Sequence, residues 1–525
     1  MKNLFKYIVA GTLALTALNA CVKEDLNNDP NNPQNVPSNM LMSGAEKWIL
    51  DNIYDNWFSG RQCLLYAQYW CQRNYTEEDR YQIRESVNNS YFNYLYQGVA
   101  NLIKVEEINT DPAYASLNAA YGANCNQIAA AKILKVWLMD VITDTWGNVP
   151  YTDVAKLVSD EKYYCKYDDQ EELYAALIKE LDDAVAMIDE SETAFTGGDI
   201  IYGGDVAQWK KFGNSLKCRL AIHISKVDPS WKSIIAGAIA SGVFESNADA
   251  ATYTYSASGT DYCKFFEGFY VDGRNDFTIT RPFANLLMGV KDELNGKSHP
   301  WEGARDPRVD IYSPGVTKGM PYGTPSYLSA KLRGGTPNWY STQPGHLTAN
   351  FKIPLMTYAE LQFILSEYNG FSDAEFQEGI EASIQYWADA YGTTVDDADI
   401  ADYIAAVGAA DAEKVAVQKY IDLWLNGTEA WTEIRRTGYP EQVLRPGEYS
   451  IEDPDDPTGE PIEFIALSEV KGDIIARVKY PTNESTLNGE NWKAAVAKLQ
   501  DGTNNYYSKM FWDVRTSTYD HPANK

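Results

Sequence analysis

TYAELQFILSEYNG (357–370) and, one residue further on, SDAEFQEGIEASIQYWADAYG (372–392) decide the fold. Thr357 with Glu360, and Ser372 with Glu375, predict capping boxes, in which side-chain oxygens satisfy the bare backbone N–H groups of a helix start. Gly370 and Gly392 end the two helices, because glycine takes the left-handed C-terminal conformation cheaply. Phe376, Ile380, Ile384, Trp387 and Tyr391 recur at helical spacing and give the second helix one apolar face. Asp169 and Glu172 open another such helix in DQEELYAALIKELDDAVAMI (169–188), with Leu173, Leu177, Leu181, Val185 and Ile188 inward. Further helical patterns occupy roughly 41–72, 84–109, 113–145, 205–226, 229–241, 396–438 and 488–501.

The pair at 357–392, with Gly370-Phe371 and Ala374 at its turn, resembles one tetratricopeptide-type repeat. Residues 245–350 differ: Gly, Pro, Ser, Asn and Tyr crowd together, with helical periodicity only around 279–294. Tyr262, Phe265, Phe266, Phe269, Tyr270 and Phe277 are too many aromatics for disorder, so these are ordered loops of the kind that carry function. The expected fold is mostly α: tetratricopeptide-like helical pairs, irregular ligand-binding loops, and minor β elements in the middle loops and near 462–480.

At the other end, LNACVKED (18–25) closes an uncharged apolar run, residues 7–18, behind Lys2 and Lys6. That is a secretory signal too short to span a bilayer. Ala20 before Cys21 resembles the lipobox of bacterial lipoproteins, in which the cysteine is acylated and the chain is cut before it. NNDPNNPQNVP (27–37) has no apolar periodicity and reads as a tether. Lys23, Glu24 and Asp25 resemble an export signal to the outer face of the outer membrane. The expected organisation is a signal peptide over 1–20, a lipidated N-terminus and tether over 21–40, and one body over 41–525.

Without residues 1–20 the chain has 73 acidic against 43 basic residues, a net charge of −30. Such a charge excludes nucleic acid as a partner and excludes electrostatic adhesion to anionic lipid, leaving acyl chains as the membrane contact. Six cysteines remain after Cys21: Cys63, Cys71, Cys125, Cys165, Cys218 and Cys263, with neither C-x-x-C nor zinc spacing. They are expected to be mostly buried free thiols.

The four histidines (His223, His299, His346 and His521) form no ligand spacing, and no phosphate loop or nucleophile elbow is present. His223, between Ile222 and Ile224, reads as a core residue. A secreted glycoside hydrolase needs only two carboxylates several Å apart, and nothing singles out such a pair. EDPDDPTGE (452–460) offers Asp453, Asp455, Asp456 and Glu460 as oxygens for a structural calcium, or simply as a solvated loop. No other cofactor is expected. A helical-repeat scaffold is the remaining alternative.

Four stretches carry a wider resemblance: VITDTWGNVPYTDVAK (141–156), FGNSLKCRLAIHISKVDP (212–229), AWTEIRRTGYP (430–440), and RVKYPTNES with NGENWKAAVAKLQDGTNNYYSKMFWD up to residue 513. Together with Cys21 they resemble the SusD/RagB family of nutrient-binding outer-membrane lipoproteins, in its SusD-like variant branch. Each also has a structural reading, as helix ends and the aromatics that pack over them. The resemblance implies a cell-surface lipoprotein without a catalytic step. It captures an oligosaccharide, or a peptide, and passes it to a SusC-type TonB-dependent porin. Sugar binding calls for exposed flat aromatics beside Asn, Asp, Gln or Arg. Two stretches supply that mixture. AQYWCQRNYTEEDRY (67–81) offers Tyr69, Trp70, Arg73, Asn74, Tyr75 and Tyr81. GRNDF (273–277) offers Arg274, Asn275 and Asp276, with Trp301, Tyr322, Trp339 and Tyr340 at a distance. Of these, Trp70 has the strongest claim to a core position and Trp339, in a turn, the strongest to exposure.

Overall fold

The computed structural model describes residues 36–156, 163–333 and 347–515. The helices of more than ten residues are α1 Ser38–Ile53, α2 Glu85–Thr110, α3 Asn124–Trp146, α4 Gln170–Ala186, α5 Val206–His223, α6 Trp231–Ser241, α7 Tyr358–Tyr368, α8 Asp373–Ala390, α9 Asp397–Val407, α10 Ala412–Asp422 and α11 Gly427–Thr437. Each of α1 to α6 packs on the next; α5 then meets α7, which lies against α8 and α10. The α7–α8 pair has the antiparallel geometry its turn demands. None of these helices is long and apolar enough to cross a membrane.

The caps differ from expectation in an informative way. Thr357 accepts from the Glu360 N–H at 2.9 Å, but the Glu360 side chain turns away to bind Arg219, Nε to Oε1 at 2.6 Å. Ser372 makes no side-chain cap, and Glu375 accepts from Asn369 instead. Asp169 is spent on Asn148 and Lys498. At Glu360 and Asp169 tertiary partners take the side chain that the capping box would use. The pattern at 41–72 breaks after Ile53 into a π-turn (Ser59–Cys63) and a short strand, and the one at 396–438 into α9, α10 and α11.

Among the described residues, eight short strands make four antiparallel pairs: β1 Trp70–Gln72 with β5 Phe277–Ile279, β2 Val149–Pro150 with β3 Tyr167–Asp168, β4 Ala251–Thr254 with β6 Lys352–Met356, and β7 Tyr449–Ile451 with β8 Ile462–Glu463. The expectation that β structure is confined to the middle loops and 462–480 is corrected by β1, β2, β3 and β7. These are two- or three-residue pairings fixed by tertiary contact, too short to show a period.

The four signature stretches converge on one buried polar core. Gly147, at φ 85°, ends α3 and turns the chain into β2. Arg477 donates to the Trp146 carbonyl at 2.7 Å, and Trp146 donates to Asn88. Trp431 and Arg435 of α11 donate to the carbonyls of Ile475 and Ala476, and Trp512 donates to Asp144. At the centre, His223 is fully buried, with Nε2 3.0 Å from Glu429 and Nδ1 3.1 Å from the Tyr174 hydroxyl. Burial alone would lower its pKa, but Glu429, Asp140 and Asp144 push it up to about 9. Burial would raise Glu429, yet His223, Arg219 and Lys419 hold it down to about 2. Arg435 and Arg436, in the last turn of α11, are equally buried.

Candidate functional site

None of the six cysteines among the described residues forms a disulfide; five of them are buried and Cys125 is half-buried. His223 stands between Asp140 and Asp144 on one side and Glu429 and Glu433 on the other, a set of atoms close enough to hold a cation. Lys419 Nζ lies 3.3 Å from Glu433, and Arg219 Nε lies 3.8 Å from Glu429. Protein cations thus already fill the positions a metal would take, and the cluster is a structural ion-pair network. In the loop 452–460, Asp455 pairs with Lys331 while Asp453 and Asp456 accept from their own loop, so these carboxylates do not converge.

The surface site is built on the β1–β5 pair. It brings the two sequence stretches together: Arg73 N–H donates to the Asp276 carbonyl at 2.7 Å, and Arg73 Nη1 to the Asn275 carbonyl at 3.3 Å. Arg61 and Arg274 both donate to one oxygen of Asp276, at 2.7 and 2.8 Å. Their guanidinium carbons lie 5.0 and 5.2 Å from the ring centre of Trp57, whose side chain remains 45% exposed. Trp57 carries no sequence signal beyond being aromatic at the end of a broken helical pattern. Beyond it opens a cavity of about 250 Å³ lined by Asn52, Ser86, Ser90, Tyr91 and Tyr94. Asp55, at its floor, accepts from the Phe58 and Ser59 N–H groups and is pushed up to about 7 by burial.

On the other side, Tyr75 is 73% exposed and sits at φ 55°. A bulky residue in the left-handed region is strained and persists only where its surroundings enforce it. Here they do: Asn74 is held by Arg333, Thr76 N–H donates to Ser326 at 3.0 Å, and the Thr76 hydroxyl donates to Thr324. Tyr327, also exposed, follows Ser326. The result is a ridge of open aromatics with arginines and amides between them, on a backbone braced by these hydrogen bonds.

Other residues proposed from sequence pack inward. Tyr69 stacks on Tyr420 and hydrogen-bonds its carbonyl; Trp70 lies among Phe265, Phe269 and Phe277; Tyr81 and Tyr322 meet edge-on at Phe464. All four are fully buried, and Trp301, against His299, is 4% exposed. None of these five rings presents a face to solvent, and Trp70 belongs to a strand buried at all three positions. Trp339 and Tyr340 lie outside the described residues.

A family model described as starch-binding, associating with outer membrane, matches residues 30–454. Among solved structures, a SusD homologue from Parabacteroides distasonis is similar at 21% identity and a TM-score of 0.74, over 93% of this chain and all of that one. A chitin-binding SusD homologue from Flavobacterium johnsoniae matches at 22% identity and a TM-score of 0.68, over 91% of this chain and 99% of its own. A SusD homologue from Bacteroides thetaiotaomicron matches at 19% identity and a TM-score of 0.67, over 92% and 100%. No curated protein matches the chain.

Proposed function

From the premise that the chain belongs to the SusD-like family, we propose that it is a surface lipoprotein that captures an oligosaccharide and hands it to a SusC-type TonB-dependent porin. The observation that carries this is the ridge from Trp57 to Tyr75. A sugar ring presents C–H bonds edged by hydroxyls, and it stacks on an open aromatic while planar side chains take its hydroxyls. Trp57 and Tyr75 supply the stacking, and Asn74, Asn275, Arg274 and the hydroxyls of Ser86 and Ser90 the polar partners. The chitin bound by one similar structure supports a glycan over a peptide.

The site binds and does not cleave. Asp276 is engaged by two guanidiniums, and Asp55 by two backbone amides. Hydrolysis needs two carboxyls free to face one glycosidic bond. Trp339 and Tyr340 belong to the proposed site on the sequence argument.

The test is affinity electrophoresis or calorimetry of the purified protein against a panel of oligosaccharides and peptides, with Trp57→Ala and Tyr75→Ala alongside. Glycan binding lost in both variants with unchanged melting supports the site. Binding that survives both places it elsewhere, and release of reducing sugar would overturn the non-catalytic reading. Co-purification of a TonB-dependent porin with the tagged protein tests the partner.

A further inference from the structure

The whole chain carries a formal charge of −28, yet arginines gather on the proposed ridge. Arg61, Arg73, Arg84, Arg274 and Arg333 lie along it, and the carboxylates in contact with them are Asp276, shared by Arg61 and Arg274, and Glu78, which takes Arg84. Glu77 faces the Ser326 hydroxyl. Arg73 is held by a backbone carbonyl and Arg333 by the side-chain amide of Asn74, neither of which neutralises charge. Arg61 and Arg73 are each 6% exposed, and the Nε atoms of both are buried without a hydrogen-bond partner among the described residues.

A partly desolvated guanidinium without a carboxylate is expensive to maintain, and Arg73 and Arg333 are two of them beside a pair, Arg61 and Arg274, that shares a single carboxylate. Burial lowers the pKa of Arg61 and of Arg73; at Arg61 the carboxylates of Asp276 and Glu78 oppose this while Arg84 and Arg274 add to it, and at Arg73 Arg333 adds to it. An arriving anion relieves this repulsion, and guanidinium forks match carboxylate and sulfate oxygens in pairs. A neutral glucan or chitin chain offers nothing for such a cluster to neutralise.

We propose that the ligand of the Trp57–Tyr75 ridge is an anionic oligosaccharide, bearing carboxylate or sulfate groups that Arg73, Arg274 and Arg333 hold while its rings lie on the aromatics. This rests on the reading of the ridge as the capture site. The experiment is calorimetric titration of the mature protein with three probes of matched length: a neutral malto- or chito-oligosaccharide, an oligogalacturonide, and a sulfated galactan oligosaccharide. One or both anionic probes should bind at least tenfold more tightly than the neutral ones. That advantage should shrink about tenfold between 50 and 500 mM salt as screening takes hold, and whichever anionic probe binds identifies the charged group. Arg274→Gln and Arg73→Gln should each cost the anionic probe about tenfold more than they cost the neutral one; Arg274, being exposed, is the variant least able to disturb folding. Neutral probes binding as well as anionic ones, with no salt dependence and no effect of either arginine, overturn the anionic assignment while a loss in Trp57→Ala keeps the site. Binding of no oligosaccharide, or binding indifferent to Trp57 and Tyr75, overturns both.

Discussion

Trp57 and Trp70 lie in one short stretch of chain and do opposite work. Trp70 is wholly enclosed by Phe265, Phe269 and Phe277, whereas nearly half of Trp57 is open. Truncating Trp70 to Ala should therefore cost about 3–5 kcal/mol of stability, read as a fall in the denaturation midpoint. Trp57→Ala and Tyr75→Ala should each cost about 1 kcal/mol or more in ligand binding with little change in melting temperature. The same expectation holds for Trp339→Ala, which should abolish capture in a protein that still melts normally. Unfolding of the Trp57 or Tyr75 variant would show that the ring supports the fold instead. His223 adds a pH dependence. Its folded value, about 9, is above the ordinary 6.5, so the stabilisation from its ion pairs is whole below pH 6.5 and is lost as pH rises through 9. Glu429, held at about 2 from an ordinary 4.5, contributes fully above pH 4.5 and loses its share only as pH falls through 2. Denaturant midpoints of the wild type should drop between pH 6.5 and 9. In His223→Gln, less stable by a few kcal/mol at pH 6, that slope should be gone.

At the scale of the element, the α7–α8 hairpin shows what was legible and what was not. Its span, turn and inward stripe could be read directly, because each rests on residues within one helical period of one another. Its capping boxes are incomplete, because Glu360 answers to Arg219, far away in sequence, and Glu375 to Asn369. The same limit governs the site. The sequence places Arg73, Asn74, Tyr75, Arg274, Asn275 and Asp276 in two separate stretches, and β1–β5 joins them. It cannot tell Tyr75 from Tyr81, since both sit at left-handed φ and only the loops above decide which is covered. Trp57 is invisible until the π-turn and Asp276 bring two arginines to its flank. At the crossing of α7 and α8, a Cβ on Gly379 would stand 2.7 Å from the Phe363 ring. Gly379→Leu should therefore destabilise by about 1–3 kcal/mol through overpacking, measured by thermal or urea denaturation. An unchanged midpoint would mean that the hairpin is looser than its contacts imply.

At the scale of the molecule, one helical body packs α1 through α11 around a shared core, with the ridge on its surface at β1–β5. The lipid anchor proposed at Cys21 is tested by detergent partitioning: wild type should follow the membrane fraction and Cys21→Ser should not. Equal partitioning of the two would reject the lipoprotein reading. The enforced backbone at Tyr75 has a kinetic meaning as well. A platform already shaped leaves no rearrangement to follow encounter, so stopped-flow traces should be single-exponential, with observed rates rising linearly in ligand concentration and no plateau. Affinity then varies among ligands mainly through residence time, which lets such a receptor sample passing chains quickly and release them on a short clock.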